Sequence, residues 1–550
     1  MELPRPCGGA GVRARRGGWA VTRRDRRPPA AEAPPPEAAR FDAPLADVLA
    51  GLARAGFAEA EVYAKRGRSR RVVHAPGTRA ASFHEERGWA VRASTGRASL
   101  FAAGTGAPPP DGPWPEPDGR PLRLPDPDAA GRRAPWSEPS ELEAPLVGEA
   151  EGDRLLAAIG EELARELPGA RLVAATLEDG SSESRIASSR SVEARWRSRV
   201  ALLHLEAVIV SRTGAGVDPA AGRPVDDPGS PDGDRLADGD EPKGGDDAGE
   251  QGPEAAPGSS RSGRQPGAVP RAERPPAPSI VTLDLAARSA RGFSPGAVAR
   301  RLADRLAVAA AGPPAGFAAR DRGELVLAPP LAARLLAALT PYLVGPRAAD
   351  RVAALRDRRG RIGSQALTVI DDGRLPGGLL EAPVDGEGLA TRAVALVEEG
   401  AFRQPLLAWH EARGGDPRHG DPRPTGCSRR PSWRDLPRPG PTHLHLAPAP
   451  AVPAADLLAD LARGYYLLDA AGPVALDLDA AAFTVPVAGY AIQSGRAVAP
   501  AGGLVLAGSV SALLRGIQAV ARDLAFVPDD GLVGAPTVLV TGLELRPAGV

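Results

Sequence analysis

Between Arg212 and Pro278 the chain carries 12 Pro and 13 Gly in 67 residues, with no aromatic and almost no aliphatic side chain. A segment of this composition cannot bury enough apolar surface to offset the entropy of ordering its backbone. Yet it is flanked by two runs of apolar and β-branched residues, LEAVIVS before it and Ser279-Ile-Val-Thr-Leu-Asp-Leu after it, which both read as strands. The simplest expectation is a long disordered insertion, 212–278, between two strands of one sheet. The other reading is an inter-domain linker, with the two runs as edges of different sheets. Twelve prolines between Ala107 and Pro145 predict an extended, semi-rigid connector. Residues 1–40, rich in Arg, Pro and Gly, predict a disordered tail. Three foldable stretches remain: 41–106, 146–320 (with the insertion) and 321–550.

Each stretch has a period. Leu45, Val48, Leu49 and Leu52 recur at helical spacing before Gly56, and EAEVYAKRGRSRRVVHA, RAASFHEERGWAVRAS and ASLFAAG follow as strands of an antiparallel sheet. The middle stretch opens with a helix from Asp153 to Leu167, with Leu155, Leu156, Ile159 and Leu163 on one face. Strand candidates RLVAATLED, SRIASSRSVEARW and RVALLHLEAVIVS come next. A helix from Pro295 to Ala311 closes this stretch, its stripe formed by Val298, Leu302, Leu306 and Ala309. The last stretch begins with strand GELVLAP and an apolar helix, Pro330 to Tyr342, and is otherwise rich in short strands and Gly turns. Near its end Ser509 can cap a helix whose Val510, Leu513, Leu514, Ile517, Val520 and Leu524 share a face. The expected fold class is α+β: an N-terminal α/β module, a middle sheet–helix domain and a β-rich C-terminal domain with a terminal helix.

Lys+Arg 68 balances Asp+Glu 68, so net charge gives no argument for a nucleic-acid or anionic-membrane partner. No uninterrupted apolar run approaches the roughly 18 residues that span a bilayer. With two cysteines, Cys7 and Cys427, a disulfide framework is excluded and a reducing, cytoplasmic setting is expected.

Three separated groups of motifs in the last stretch belong together. The first is Val369-Ile-Asp-Asp-Gly, Pro383-Val-Asp-Gly-Glu-Gly-Leu-Ala-Thr-Arg and Leu396-Val-Glu-Glu-Gly. The second is Thr425-Gly-Cys-Ser-Arg-Arg-Pro-Ser-Trp-Arg, running into Pro439. The third is Gly464-Tyr-Tyr-Leu, Asp479 to Phe483, and Gly489-Tyr-Ala-Ile-Gln-Ser-Gly-Arg-Ala-Val-Ala-Pro. In order and spacing the set resembles the TldD/PmbA (TldE) metalloprotease family, and the likeness extends over about 41–550 apart from the insertion. The resemblance implies paired TldD–TldE peptidase assemblies in which the TldD-type subunit holds zinc through His-Glu-x-x-x-His on a helix and a cysteine further on. Two imidazoles and a thiolate leave one position of Zn²⁺ open, where a bound water becomes acidic enough to attack a peptide carbonyl. Carried onto this chain, the helix positions fall near Ala337, Ala338 and Tyr342, and the cysteine position falls at Asp469 to Gly472. None of these residues suits its role, so the chain resembles the metal-free PmbA/TldE side.

The resemblance therefore implies no catalytic residue and no cofactor in this chain, with zinc expected in a TldD-like partner, a heterodimer, and unfolded peptides as substrate. Two alternatives stay open: a stand-alone peptide-binding homo-oligomer, and a metallopeptidase with a relocated zinc site. For the latter, His443 and His445 point to the same face of a strand and Cys427 precedes them by 16 residues, so the three are candidate ligands. His410-Glu411 looks like the start of a zinc motif, but His419 lies across Gly-Gly-Asp-Pro and cannot share its helix face. Asp385, Glu387, Arg429 and Arg430, set in Gly-rich turns, are candidate peptide or partner contacts, because guanidinium groups offer paired donors and suit carboxylates. Turn and ion-pair duty is the plainer reading for these four.

Overall fold

Leu45, Val48 and Leu52 lie on one face of helix α1 (Leu45–Arg54) and are buried against strand β1 (Glu59–Ala75), as their spacing predicts. The computed structural model describes residues 44–125, 144–209, 279–317, 320–413 and 424–548; the expected tail, the 212–278 insertion, His419 and residues 126–143 of the connector lie outside them. β1 joins β2 (Thr78–Ser94), β3 (Ser99–Thr105), β4 (Ala170–Ser188), β5 (Glu193–Ile209) and β6 (Ser279–Ala287) in an antiparallel sheet of order β3-β2-β1-β4-β5-β6. β1 pairs with both β2 and β4, so the stretches 41–106 and 146–320 share one sheet rather than forming two. β5 and β6 pair from Ala201↔Ala287 to Ile209↔Ser279, as expected of neighbours on either side of the insertion.

One boundary differs from the sequence reading. The expected break at Gly180 is continuous strand, and the run expected through Ser189 is a turn with Ser191 at φ 60. The reason is lateral pairing. Polar residues of β4 are matched across the sheet, with Ser182 Oγ at 2.9 Å from Ser198 Oγ and Glu183 accepting from Arg66 at 2.5 Å, so a hydrophilic stretch keeps its place in the ladder.

Helices α2 (Glu149–Glu166) and α3 (Pro295–Ala310) cover one face of this sheet. Leu156, Ile159 and Leu163 of α2 and Leu302 and Leu306 of α3 pack on Leu177, Leu203, Leu205 and Leu283. Each such leucine or isoleucine is nearly inaccessible to water and contributes roughly 2 kcal/mol by leaving it.

The C-terminal part contains two larger sheets. In one, β7 (Glu324–Leu327) runs parallel to strand Arg463–Ala470, which pairs with the long hairpin Ala482–Gln493 and Arg496–Ser509. The other places His443–Leu446 between Val369–Asp372 and Gly531–Ala535. Helix α4 (Pro329–Ala338) packs Leu331, Leu335 and Leu336 into their common core. The expected helix to Tyr342 stops sooner: Leu339 leaves helical geometry and Pro341 sits in a separate 3-10 turn, Thr340–Tyr342. Ser509 does cap a helix, accepting from Ala512 N at 3.0 Å, but that helix spans Val510–Gly516 only. Ile517 to Val520 form a strand against Val538–Val540, so among the described residues strands, not the capped helix, come last. Among the described residues no helix is long and apolar enough to cross a membrane.

Candidate functional site

α4 opens on Pro329 and Pro330, residues suited to a first helical turn, and is apolar except for Arg334. That arginine faces Asp469, the first residue of the segment Asp469 to Gly472 where the cysteine was expected. Asp469 stands on strand Arg463–Ala470 just past a β-bulge between Leu467 and Asp469, is 5% exposed, and takes Arg334 Nε on Oδ1 at 3.2 Å. Its other oxygen lies 2.7 Å from a terminal nitrogen of Arg305, which comes from α3 and also donates to the Thr282 carbonyl. The second arm of Arg334 reaches Asp284 of β6 at 2.9 Å, and Asp284 in turn accepts from His204 Nδ1 of β5 at 2.6 Å.

The result is a chain of alternating charges, His204–Asp284–Arg334–Asp469–Arg305, that ties the six-stranded sheet to α4 and to the C-terminal part. Burial works against the charge of Asp284, but the hydrogen bonds from His204 and Arg334 outweigh it and hold the carboxyl below its usual range. Burial likewise opposes the charge of His204, and Asp284 more than compensates, so this imidazole is raised. Arg305 is lowered, first by burial. Beside Asp469 lies a cavity of about 10 Å³, enough for one water at most.

These residues do not fit a zinc ion. Ala337 and Ala338 offer no donor atom and Tyr342 offers only a buried phenol, whose pKa is raised by burial. Asp469 is engaged by two guanidinium groups whose positive charge repels a metal cation.

The relocated-site candidates are not brought together. Cys427 is buried, its thiol pushed well up by burial, and its sulfur lies 2.8 Å from Thr425 Oγ1. His443 donates from Nδ1 to the Asp372 carbonyl at 2.8 Å and accepts at Nε2 from Leu380 N at 3.2 Å; His445 donates to the His443 carbonyl. Burial lowers both imidazoles, and both rings stack edgewise on Phe526. Among the described residues no three His, Cys, Asp or Glu side chains are placed to hold a metal ion.

Three of the four candidate contact residues are interior. Asp385 accepts from the backbone N–H groups of Glu387, Leu389 and Ser428, at 2.8–3.0 Å. Glu387, with no exposed side chain, takes Arg92 of β2 at 3.3 Å, Trp409 N at 2.7 Å, Ser428 Oγ at 2.6 Å and His410 Nδ1 at 3.3 Å. Arg430 donates to the Gly386 carbonyl at 2.8 Å and to Glu61 of β1, and its guanidinium lies 4.7 Å over the Tyr63 ring. Arg92 also holds Glu61, at 2.6 Å. Arg429 is less buried and pairs with Asp530 at 3.3 Å. Asp385 is raised by burial and then by the charge of Glu387; Glu387 is lowered, because His410, Arg92 and Ser428 together outweigh its burial. Glu387 and Arg430 thus tie the C-terminal turns to β2 and β1, while Asp385 bonds the turns alone and Arg429 bonds Pro441 and Asp530 within the C-terminal part. Sequence reasoning missed Glu61, Arg92, Arg305 and Arg334. Their signal was faint: single charges inside apolar runs such as WAVRAS and LAARLLAA.

Residues 320–546 match the PmbA/TldA metallopeptidase C-terminal domain. An uncharacterized protein of Methanocaldococcus jannaschii is 35% identical over 137 residues, 24% of this chain and 30% of that protein. A metalloprotease TldD homolog of Buchnera aphidicola is 24% identical over 175 residues, 32% of this chain and 35% of that protein. The matched stretches thus span about a third of the length of these curated relatives. The crystal structure of TldE from Thermococcus kodakarensis superposes with a TM-score of 0.67 over 92% of this chain and 100% of that one, at 16% identity, and so shares the fold. The chain thus carries a PmbA/TldA metallopeptidase C-terminal domain over 320–546, joined to a TldE-like fold along nearly its whole length.

Proposed function

We propose that this chain is a metal-free, PmbA/TldE-like subunit of a two-part metallopeptidase assembly. A TldD-like partner supplies the zinc, and this cytoplasmic chain helps enclose unfolded peptides. The observation that supports the reading is that Ala337, Ala338 and Tyr342 stand at the implied ligand positions of the helix, while Asp469, in the implied cysteine segment, is paired with Arg334 from the preceding turn of α4. A single lost ligand leaves a damaged site, whereas here the helix positions hold no ligand and Asp469 is taken up by cations of α4 and α3. In such a subunit the buried Arg334–Asp469–Arg305 group keeps α4 seated without any metal.

The test is to purify the chain alone and together with a TldD-like subunit carrying His-Glu-x-x-x-His. Alone it is expected to hold no stoichiometric zinc and to leave an unfolded polypeptide intact; together the two are expected to co-elute as a heteromer that cleaves it. Chelator-sensitive cleavage by the chain alone overturns the reading. A homo-oligomer that retains peptide without cutting it and ignores the zinc subunit points to the stand-alone binding protein instead.

A further inference from the structure

The Glu387 network is closed to water except at one arm. His410, on the five-residue helix Trp409–Arg413, has a side chain 45% exposed, while Glu387 and Arg92 beneath it are buried. Its Nδ1 donates to Glu387 Oε1, the oxygen that Arg92 also approaches, and the neighbouring Trp409 N donates to Oε2. The Trp409 indole reaches the Arg123 carbonyl at 2.8 Å on the opposite side. A titratable ring open to solvent on one side and resting on a desolvated carboxylate on the other can exchange its proton without opening the core. The strength of its contact then follows its charge, since a protonated imidazole adds to the hydrogen bond a Coulomb attraction to the carboxylate that the neutral ring lacks.

We propose that His410 is a protonation-sensitive latch: charged, it clamps the helix Trp409–Arg413 onto Glu387 and through it onto Arg92 of the six-stranded sheet; neutral, it leaves that helix loosely held. The Glu387 hydrogen bond raises the imidazole above its ordinary value, with burial opposing, so the latch stays closed to a higher pH than a free imidazole would allow. A raised histidine stabilises fully below its unfolded value of 6.5, and the contribution is lost as pH climbs through the higher folded value. The groups facing the ring are Glu387 from the turn, Arg92 from β2 and Glu411 from its own helix; Glu411 is raised by burial and accepts from Ala408 N at 3.1 Å. Asp385, also raised, holds the amides of Glu387, Leu389 and Ser428 and none of the helix.

Amide hydrogen exchange of the full chain reads the latch in a peptide covering 406–413, at about pH 6 and about pH 8.5, with exchange times scaled for the intrinsic pH dependence. Protection of the Trp409 and Ala412 amides is expected to fall on the order of three- to tenfold between the two conditions. His410→Gln, which keeps a donor but not the charge, is expected to show the lower protection at both. Equal wild-type protection at the two conditions overturns the proposal, as does a His410→Gln protein with the wild-type fall. A fall confined to 385–389 assigns the titration to Asp385 and overturns it too.

Discussion

Asp469 is held by guanidinium groups from two different helices, so removing its charge leaves Arg305 buried with only the Thr282 carbonyl as partner. A broken buried pair costs more than an intact one contributes, because the surviving charge stays desolvated. Asp469→Ala is therefore expected to lower the unfolding free energy by about 3 kcal/mol, read as a lower urea midpoint with unchanged slope. A cost near zero would mean that water reaches Arg305 and that the pair does not hold α4. The segment itself was legible, because the family resemblance implies a cysteine within Asp469 to Gly472 and that segment holds an aspartate and no cysteine. Its partners were not. Arg305 and Arg334 sit in ordinary amphipathic and apolar helices, and nothing in their local pattern says that both turn toward one carboxylate.

Helices and strands were legible wherever the apolar period set the burial, as in α1, α2, α3 and the hairpin of β1 and β2. They were misread where a neighbouring strand decided the outcome. Val510 to Leu524 carries a helical stripe, yet the helix stops at Gly516 because the chain turns there into a strand beside Val538–Val540. Gly516 permits the switch by proximity: a Cβ on it would lie 2.1 Å from the Thr541 carbonyl oxygen. Helix propensity alone predicts that Gly516→Ala stabilises by about 1 kcal/mol. The close approach predicts the reverse, a loss of roughly 2 kcal/mol as the strands at 517–520 and 538–540 are forced apart. The sign of the change in thermal midpoint decides between local preference and tertiary contact, and destabilisation is expected.

The six-stranded sheet and the C-terminal part are joined by a small apolar cluster, Tyr63, Ile186, Val384 and Trp433, around which the charges of Glu61, Arg92, Glu387 and Arg430 are arranged. Asp385, Glu387 and Arg430 stood out in the sequence as charged residues in Gly-rich turns, but their work was hidden, because Arg92 lies 295 residues from Glu387 and Glu61 lies 369 residues from Arg430. A join of this kind depends on every charge having its counterpart, since a buried charge left without one stays desolvated. Glu387→Gln keeps the shape and removes the charge that Arg92 and His410 share, leaving two cations against Glu61. The expected loss is about 3 kcal/mol, concentrated at the join and not spread through either core. Urea unfolding followed by circular dichroism should then change form: a single transition in the wild type, and two resolved transitions in the variant as the sheet and the C-terminal part part company. Glu398→Gln serves as the comparison, because Glu398 pairs with Arg403 at the surface with both side chains more than half exposed, and such a pair contributes little. If Glu387→Gln unfolds in one transition at the wild-type midpoint, the charges around Glu387 are passengers of the fold, and the two parts are held by apolar contact and by the separate Asp284–Arg334–Asp469–Arg305 chain.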